Sequence, residues 1–320
     1  MVAQRQSRSP SSCRRQRPRL RCRALGLLLA LLPVGAVGAI SGPDPARMAG
    51  TVADLAAGIG VRPAGSPAEA RAAALIAARF RALGYSVVLQ PVPLPQGRAS
   101  ANVVAFSGPG PARLVVGGHY DSHRRAPGAD DNASGIAVIL EVARLLAGRG
   151  LPVQFVAFGA EEIIGRQRDH HHYGSRHYVR AAPPAFLEGL TGMLCVDAVG
   201  TGAQLRIEAM PGGDDRLARQ CRALGWRLGL RPGRVRGTTL SDHEAFARAG
   251  VPVALFHRVP NGHMHTPGDT PGRVRPDYLR ETALTLLAAI EALTSPGRTT
   301  APAPAPPAAT RRRPQSALPE

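Results

Sequence analysis

Four short apolar runs, 114–116, 153–158, 193–196 and 251–256, alternate along the chain with segments of helical periodicity. Residues 67–83 carry Leu75, Ile76, Phe80 and Leu83 at helical spacing, with Gly84 as the stop. A helix is expected from Ser134 to Ala147, and a closing helix from Pro276 to Leu293. Val87–Leu89 adds a further strand. Short apolar strands separated by helices predict an α/β three-layer sandwich, a mostly parallel central sheet with helices on both faces. In such sheets ligands bind beyond the carboxyl ends of the strands.

The ends of the chain differ from this middle. Residues 1–23 are polar and rich in Arg, and 24–40 form an apolar run of 17 residues with small side chains at Ala36, Gly38 and Ala39 near its end. Basic, apolar and small segments in that order predict an export signal over 1–41. The run is at the short limit for a spanning helix of ~20 residues, so an uncleaved segment would instead anchor the chain in a membrane. The chain is accordingly expected to be exported, periplasmic or extracellular. Residues 296–320, rich in Pro, Ala and Arg, cannot bury a core and predict a disordered tail. The folded domain is expected over 42–295.

The formal net charge of +18 invites a nucleic-acid partner, but its distribution argues against one. All 40 basic residues are Arg, and 12 of them lie in the two terminal segments. Residues 42–295 hold 28 Arg against 21 acids, with no basic stripe interleaved with aromatics. Cys13 and Cys22 fall in the signal; Cys195 and Cys221 are too few for a disulfide framework.

The carboxyl ends of the apolar runs carry the chemistry. After 114–116 comes GGHYDS, with His119 and Asp121; after 153–158 comes GAEE, with Glu161 and Glu162. Asp197 follows 193–196, and a loop with His263, His265 and Asp269 follows 251–256. Asp130 and Asp131 lie in PGADDNASG, ahead of the next helix. Each piece has a plain reading: Asp130–Asn132 as a turn and cap, Glu161–Glu162 as a solvated pair, His265 as a loop residue. Placed together at successive strand ends, imidazole and carboxylate suit zinc and related divalent metals. No thiolate is among them, which argues against a closed structural zinc site. No G-x-S-x-G nucleophile elbow occurs, and His243-Glu244 is not followed by the second His of HExxH, because Ala247 stands there.

In this order, GGHYDS, GADDNASG, GAEE, VDA and HTPGD resemble the M28 family of metallo-aminopeptidases; the earlier GVRPAGSPAEA, SDHEAF and AGVPVALF are further matches. The resemblance covers about residues 50–293. It implies a zinc-exopeptidase fold and hydrolysis of amino-terminal peptide bonds in peptide or aminoacyl substrates. It implies two Zn2+, one held by His119, Asp131 and Asp197 and the other by Asp131, Glu162 and His265. Glu161 would be the general base, with Asp121 and Asp269 orienting His119 and His265. Glutaminyl cyclases, single-zinc acyltransferases, resemble the same family and provide an alternative; a non-catalytic binding domain is another. Two departures stand out. Met264 occupies a position where some members carry Tyr, and RQRDHHHY lengthens the segment between GAEE and GSRH. His170–His172 read there as a solvated loop at the mouth of the site, with binding of a further metal or shaping of substrate access as alternatives, and His123, His177, His243 and His257 read as structural residues.

Overall fold

A computed structural model describes residues 42–108, 110–165, 170–234 and 241–295. The export or anchoring segment 1–41, with Cys13 and Cys22, and the tail 296–320 lie outside the described residues. Among the described residues no helix is long and apolar enough to cross a membrane.

Among the described residues seven strands form one sheet: β1 (Ser86–Pro93), β2 (Ala99–Phe106), β3 (Leu114–His119), β4 (Val153–Phe158), β5 (Gly192–Val196), β6 (Gln204–Glu208) and β7 (Val253–Val259), in the order β1-β2-β4-β3-β5-β7-β6. The central four, β4-β3-β5-β7, run parallel. The flanks, β1-β2 and β6, pair antiparallel. The sheet is therefore mixed, with the expected parallel arrangement confined to its centre.

Among the described residues there are eight α-helices: α1 (Pro45–Ala53), α2 (Pro67–Ala82), α3 (Gly135–Leu146), α4 (Tyr173–Ala181), α5 (Pro184–Glu188), α6 (Arg216–Arg227), α7 (His243–Arg248) and α8 (Pro276–Thr294). Strand side chains alternate between two apolar layers, as a period of two requires. Leu114, Val116, Phe155 and Leu194 join the layer made with α1, α2, α3, α6 and α8. Val115, Val156, Met193 and Cys195 join the layer that contains Tyr178 of α4 and Phe246 of α7. The two layers on either side of the sheet are the outer slabs of the sandwich. β3 and β4 are buried along their whole length, which is why they read as unbroken apolar runs.

Local signals start the helices. Ser66 accepts the N–H of Glu69 at 3.1 Å, with Pro67 in the first turn of α2. Asp44 accepts N–H groups at the start of α1. Cys195 and Cys221 are both buried and free.

Candidate metal centre

The loops at the carboxyl ends of β3, β4, β5 and β7 meet over the middle of the sheet. His119 is the last residue of β3, Glu161 and Glu162 follow β4, Asp197 follows β5, and His265 lies in the loop after β7. Asp131 sits in the tight turn Ala129–Ser134 that leads into α3. His119 Nε2 lies 3.1 Å from Asp131 Oδ1 and 3.5 Å from Asp197 Oδ1. His265 Nε2 lies 3.0 Å from Asp131 Oδ2 and 3.4 Å from Glu162 Oε2. Two triads with converging donor atoms result: His119, Asp131 and Asp197, and Asp131, Glu162 and His265. All five residues selected as candidate ligands thus come together, and the two oxygens of Asp131 face one triad each.

The surroundings hold these groups in place. Asp121 accepts the N–H of Glu161 at 3.0 Å and of Glu162 at 3.1 Å, while its Oδ1 is 3.4 Å from His119 Nδ1. It therefore braces the β4 loop as well as facing His119. Asp269 accepts the N–H of Asp130 at 2.7 Å and of Asp131 at 3.1 Å. Those contacts hold the turn that carries Asp131, a different role from the expected orientation of His265. His265 stacks on His123, with ring centroids 4.9 Å apart. Asp130 turns away from the triads, its carboxylate accepting the N–H of Gly200 at 2.6 Å and the hydroxyl of Thr201.

Two buried groups give the cluster a foundation that sequence reasoning did not assign. Arg62, fully buried, donates to the carbonyls of Tyr120 at 2.5 Å, Pro127 at 2.5 Å and Gly128 at 2.8 Å, tying together the segments that carry Asp121 and Asp131. Burial lowers its pKa to about 10, still protonated at neutral pH. Glu69 accepts the N–H of Ala160 at 2.9 Å and the hydroxyl of Ser100 at 2.6 Å, supporting the turn before Glu161. Both lie in GVRPAGSPAEA, whose intact length was the available signal; neither periodicity nor charge marks a buried Arg. Gly128 has φ +66°, and a Cβ there would come within 2.5 Å of the Asp131 carbonyl oxygen, so the turn needs glycine.

The electrostatics fit cations. Burial, then the charges of Asp131 and Glu161, push Glu162 well above the usual carboxylate range. Burial opposes protonation of His119, but Glu161 and Asp197 raise its pKa well above normal. Burial would also raise Asp131, yet its contacts with His119 and His265 hold it below the usual range. Glu162 Oε1 and Asp197 Oδ1 are buried without a hydrogen-bond partner. Acceptor oxygens left in that state are costly unless a positive centre meets them. The donor set, imidazole and carboxylate without thiolate, suits zinc, manganese or cobalt.

The sequence profile of peptidase family M28 matches residues 102–290, more than half of the chain. This chain belongs to peptidase family M28. The M28 chain is 31% identical over 171 residues to aminopeptidase YwaD of Bacillus subtilis, a match covering 50% of this chain and 36% of that protein. It is 29% identical over 182 residues to leupeptin-inactivating enzyme 1 of Streptomyces exfoliatus, covering 55% and 39% respectively. The chain thus spans under two-fifths of the length of these curated relatives. Among solved structures, it matches a zinc aminopeptidase of Bacillus subtilis with a TM-score of 0.70 at 20% identity, over 78% of this chain and 94% of that one. It also matches a glutaminyl cyclase of Fimbriiglobus ruber with a TM-score of 0.66 at 26% identity, over 78% and 95%. The mixed sheet with helices on both faces is the fold of both groups.

The expectation for the His170–His172 loop needs correction. Residues 166–169 lie outside the described residues, but His172 is buried at 2% exposure. Its Nε2 lies 2.8 Å from Glu161 Oε1 and its Nδ1 lies 3.1 Å from Glu244 Oε2. The carboxylates of the β4 loop and of α7 draw it inward. His257 pairs with Glu208, and His243 is buried.

Proposed function

We propose that this M28 chain is a zinc-dependent aminopeptidase that hydrolyses the amino-terminal peptide bond of peptide or aminoacyl substrates at a centre for two metal ions. The observation that carries the proposal is the division of Asp131: one oxygen 3.1 Å from His119, the other 3.0 Å from His265. A carboxylate shared in that way joins two ligand triads and reduces the mutual repulsion of two cations held ~3.5–4 Å apart.

His119, Asp131 and Asp197 would hold one ion, and Asp131, Glu162 and His265 the other. Bound zinc supplies a Lewis acid and brings the pKa of water toward neutrality. The remaining work falls to the chain. Glu161 Oε2 is turned toward the cluster, 4.0 Å from His119 Nε2. From there Glu161 accepts the proton of the attacking water and delivers it to the leaving amine. Asp121 fixes the backbone of Glu161 and Glu162 together, so base and ligand keep a constant relation. Asp269 holds the turn of Asp131 from the opposite side.

Cyclisation of amino-terminal Gln is the second reading, because glutaminyl cyclases share the fold at similar TM-scores. The presence of both triads favours the two-metal peptidase. Hydrolysis of a panel of aminoacyl anilides before and after chelation, alongside a peptide with amino-terminal Gln, separates them. Chelator-sensitive hydrolysis with no cyclised product supports the peptidase; cyclisation without hydrolysis contradicts it. Export is inferred from the sequence of 1–41, and measuring the cell fraction that holds the protein tests it.

A further inference from the structure

His172 is buried, has no part in the reaction above and touches the proposed base Glu161. His172 stands in the left-handed region at φ +56°. A residue with a Cβ holds this conformation only where its surroundings enforce it. Two backbone hydrogen bonds do so: the N–H of His172 to the carbonyl of Glu161 and the N–H of Tyr173 to that of Ala160, both 2.8 Å. The segment after the insertion is thereby fastened to the loop that carries the base.

The ring completes the attachment. Nε2 lies 2.8 Å from Glu161 Oε1, and Nδ1 lies 3.1 Å from Glu244 Oε2. Glu244, near the start of α7, is held in turn by Arg248, whose Nε and Nη2 donate to Oε1 at 2.8 and 2.5 Å. A row of alternating charge, Glu161–His172–Glu244–Arg248, therefore runs from the β4 loop to the far end of α7. Burial opposes the charge on His172, but Glu161 and Glu244 raise its pKa to about 9.

We propose that His172 is a positioning residue that clamps Oε1 of Glu161, leaving Oε2 as the oxygen presented to the metal cluster. The proposal rests on the reading of Glu161 as the base. A carboxylate with one oxygen fixed has one orientation instead of several, and proton transfer demands that alignment. His172, which follows the lengthened spacing, thus serves the reacting end of the site.

His172→Leu and His172→Gln in the full, metal-loaded protein test this. The expected result for His172→Leu is a fall in kcat of about ten- to a hundredfold, the usual effect of losing an orienting partner. KM and metal content should stay within about twofold of the parent protein, since only alignment in the reacting state is lost. His172→Gln, whose amide can still donate to Glu161, should recover part of the loss. A crystal structure of each variant should show Glu161 displaced in the Leu variant and retained in the Gln variant. Unchanged kcat, or an unmoved Glu161, overturns the proposal. So does loss of a metal equivalent, which would make His172 a ligand, with His171 and Glu244, of a further ion. Should the parent protein hydrolyse none of the anilides, the position of Glu161 in the structures still decides the clamp. Should the Leu variant fail to fold, Glu244→Gln, which weakens the same row from its other side, takes its place.

Discussion

The carboxylate of Asp121 accepts the backbone N–H of Glu162 at 3.1 Å, so the segment holding the proposed base Glu161 and the candidate ligand Glu162 is fixed by a side chain from the β3 loop. Its other oxygen takes the N–H of Glu161 at 3.0 Å. Asn at this position can accept on one atom only. Asp121→Asn is therefore expected to lower metal affinity by about 10–100-fold with little change in fold. Competition against a chelator of known affinity measures it, and an unchanged affinity would remove Asp121 from the supporting role.

Glu161→Gln retains the shape of the side chain and removes its ability to take a proton. The expected outcome is a full metal complement and a loss of about 10²–10⁴ in kcat, the range for general acid–base catalysis. Metal analysis and steady-state kinetics on one preparation provide both readings. An active variant would place the base elsewhere.

Arg62 is buried with several carbonyl oxygens as its partners. Arg62→Leu would take this partner from the carbonyls of Tyr120 and Pro127, each at a cost of ~1–3 kcal/mol, while the Gly128 carbonyl keeps the N–H of Ala133. Chemical denaturation of the metal-free protein should show a loss of more than about 3 kcal/mol. A loss below about 1 kcal/mol would mean that the loops over the sheet are held by other means.

His243 gives a pH dependence with a definite sign. Burial, reinforced by His172, lowers its pKa from 6.5 to about 4. The unfolded chain therefore takes up the proton first. The contribution of this residue is present above pH 6.5 and is lost as pH falls toward 4. In metal-free protein, His243→Gln should flatten the decline in denaturation midpoint across that window. An identical decline in the parent and the variant would contradict the buried neutral assignment.

Much of the centre could be read from the residues because the strand ends concentrate it. Runs 114–116, 153–158 and 193–196 became β3, β4 and β5 with few changes of boundary, since central strands are buried on both faces. The flanks are less legible for the opposite reason. β1 is marked only by Val87–Leu89, and β2 and β6 are partly exposed and broken by Ser, Asn, Gln or Arg. His172 escaped because burial of a charged loop residue depends on Glu161 and Glu244, which are separated from each other by 83 positions. The sequence puts Asp269 in the loop that carries His265, but whether it faces His265 or the Asp131 turn is decided by a loop conformation that no local pattern encodes.

Metal stoichiometry of the purified protein and of Asp131→Ala, measured side by side, tests the shared carboxylate most directly. Two equivalents per chain in the parent protein, with both lost in the variant while the fold is kept, are the predicted results. A parent protein that binds one equivalent, or a variant that keeps two, would contradict a centre bridged by Asp131.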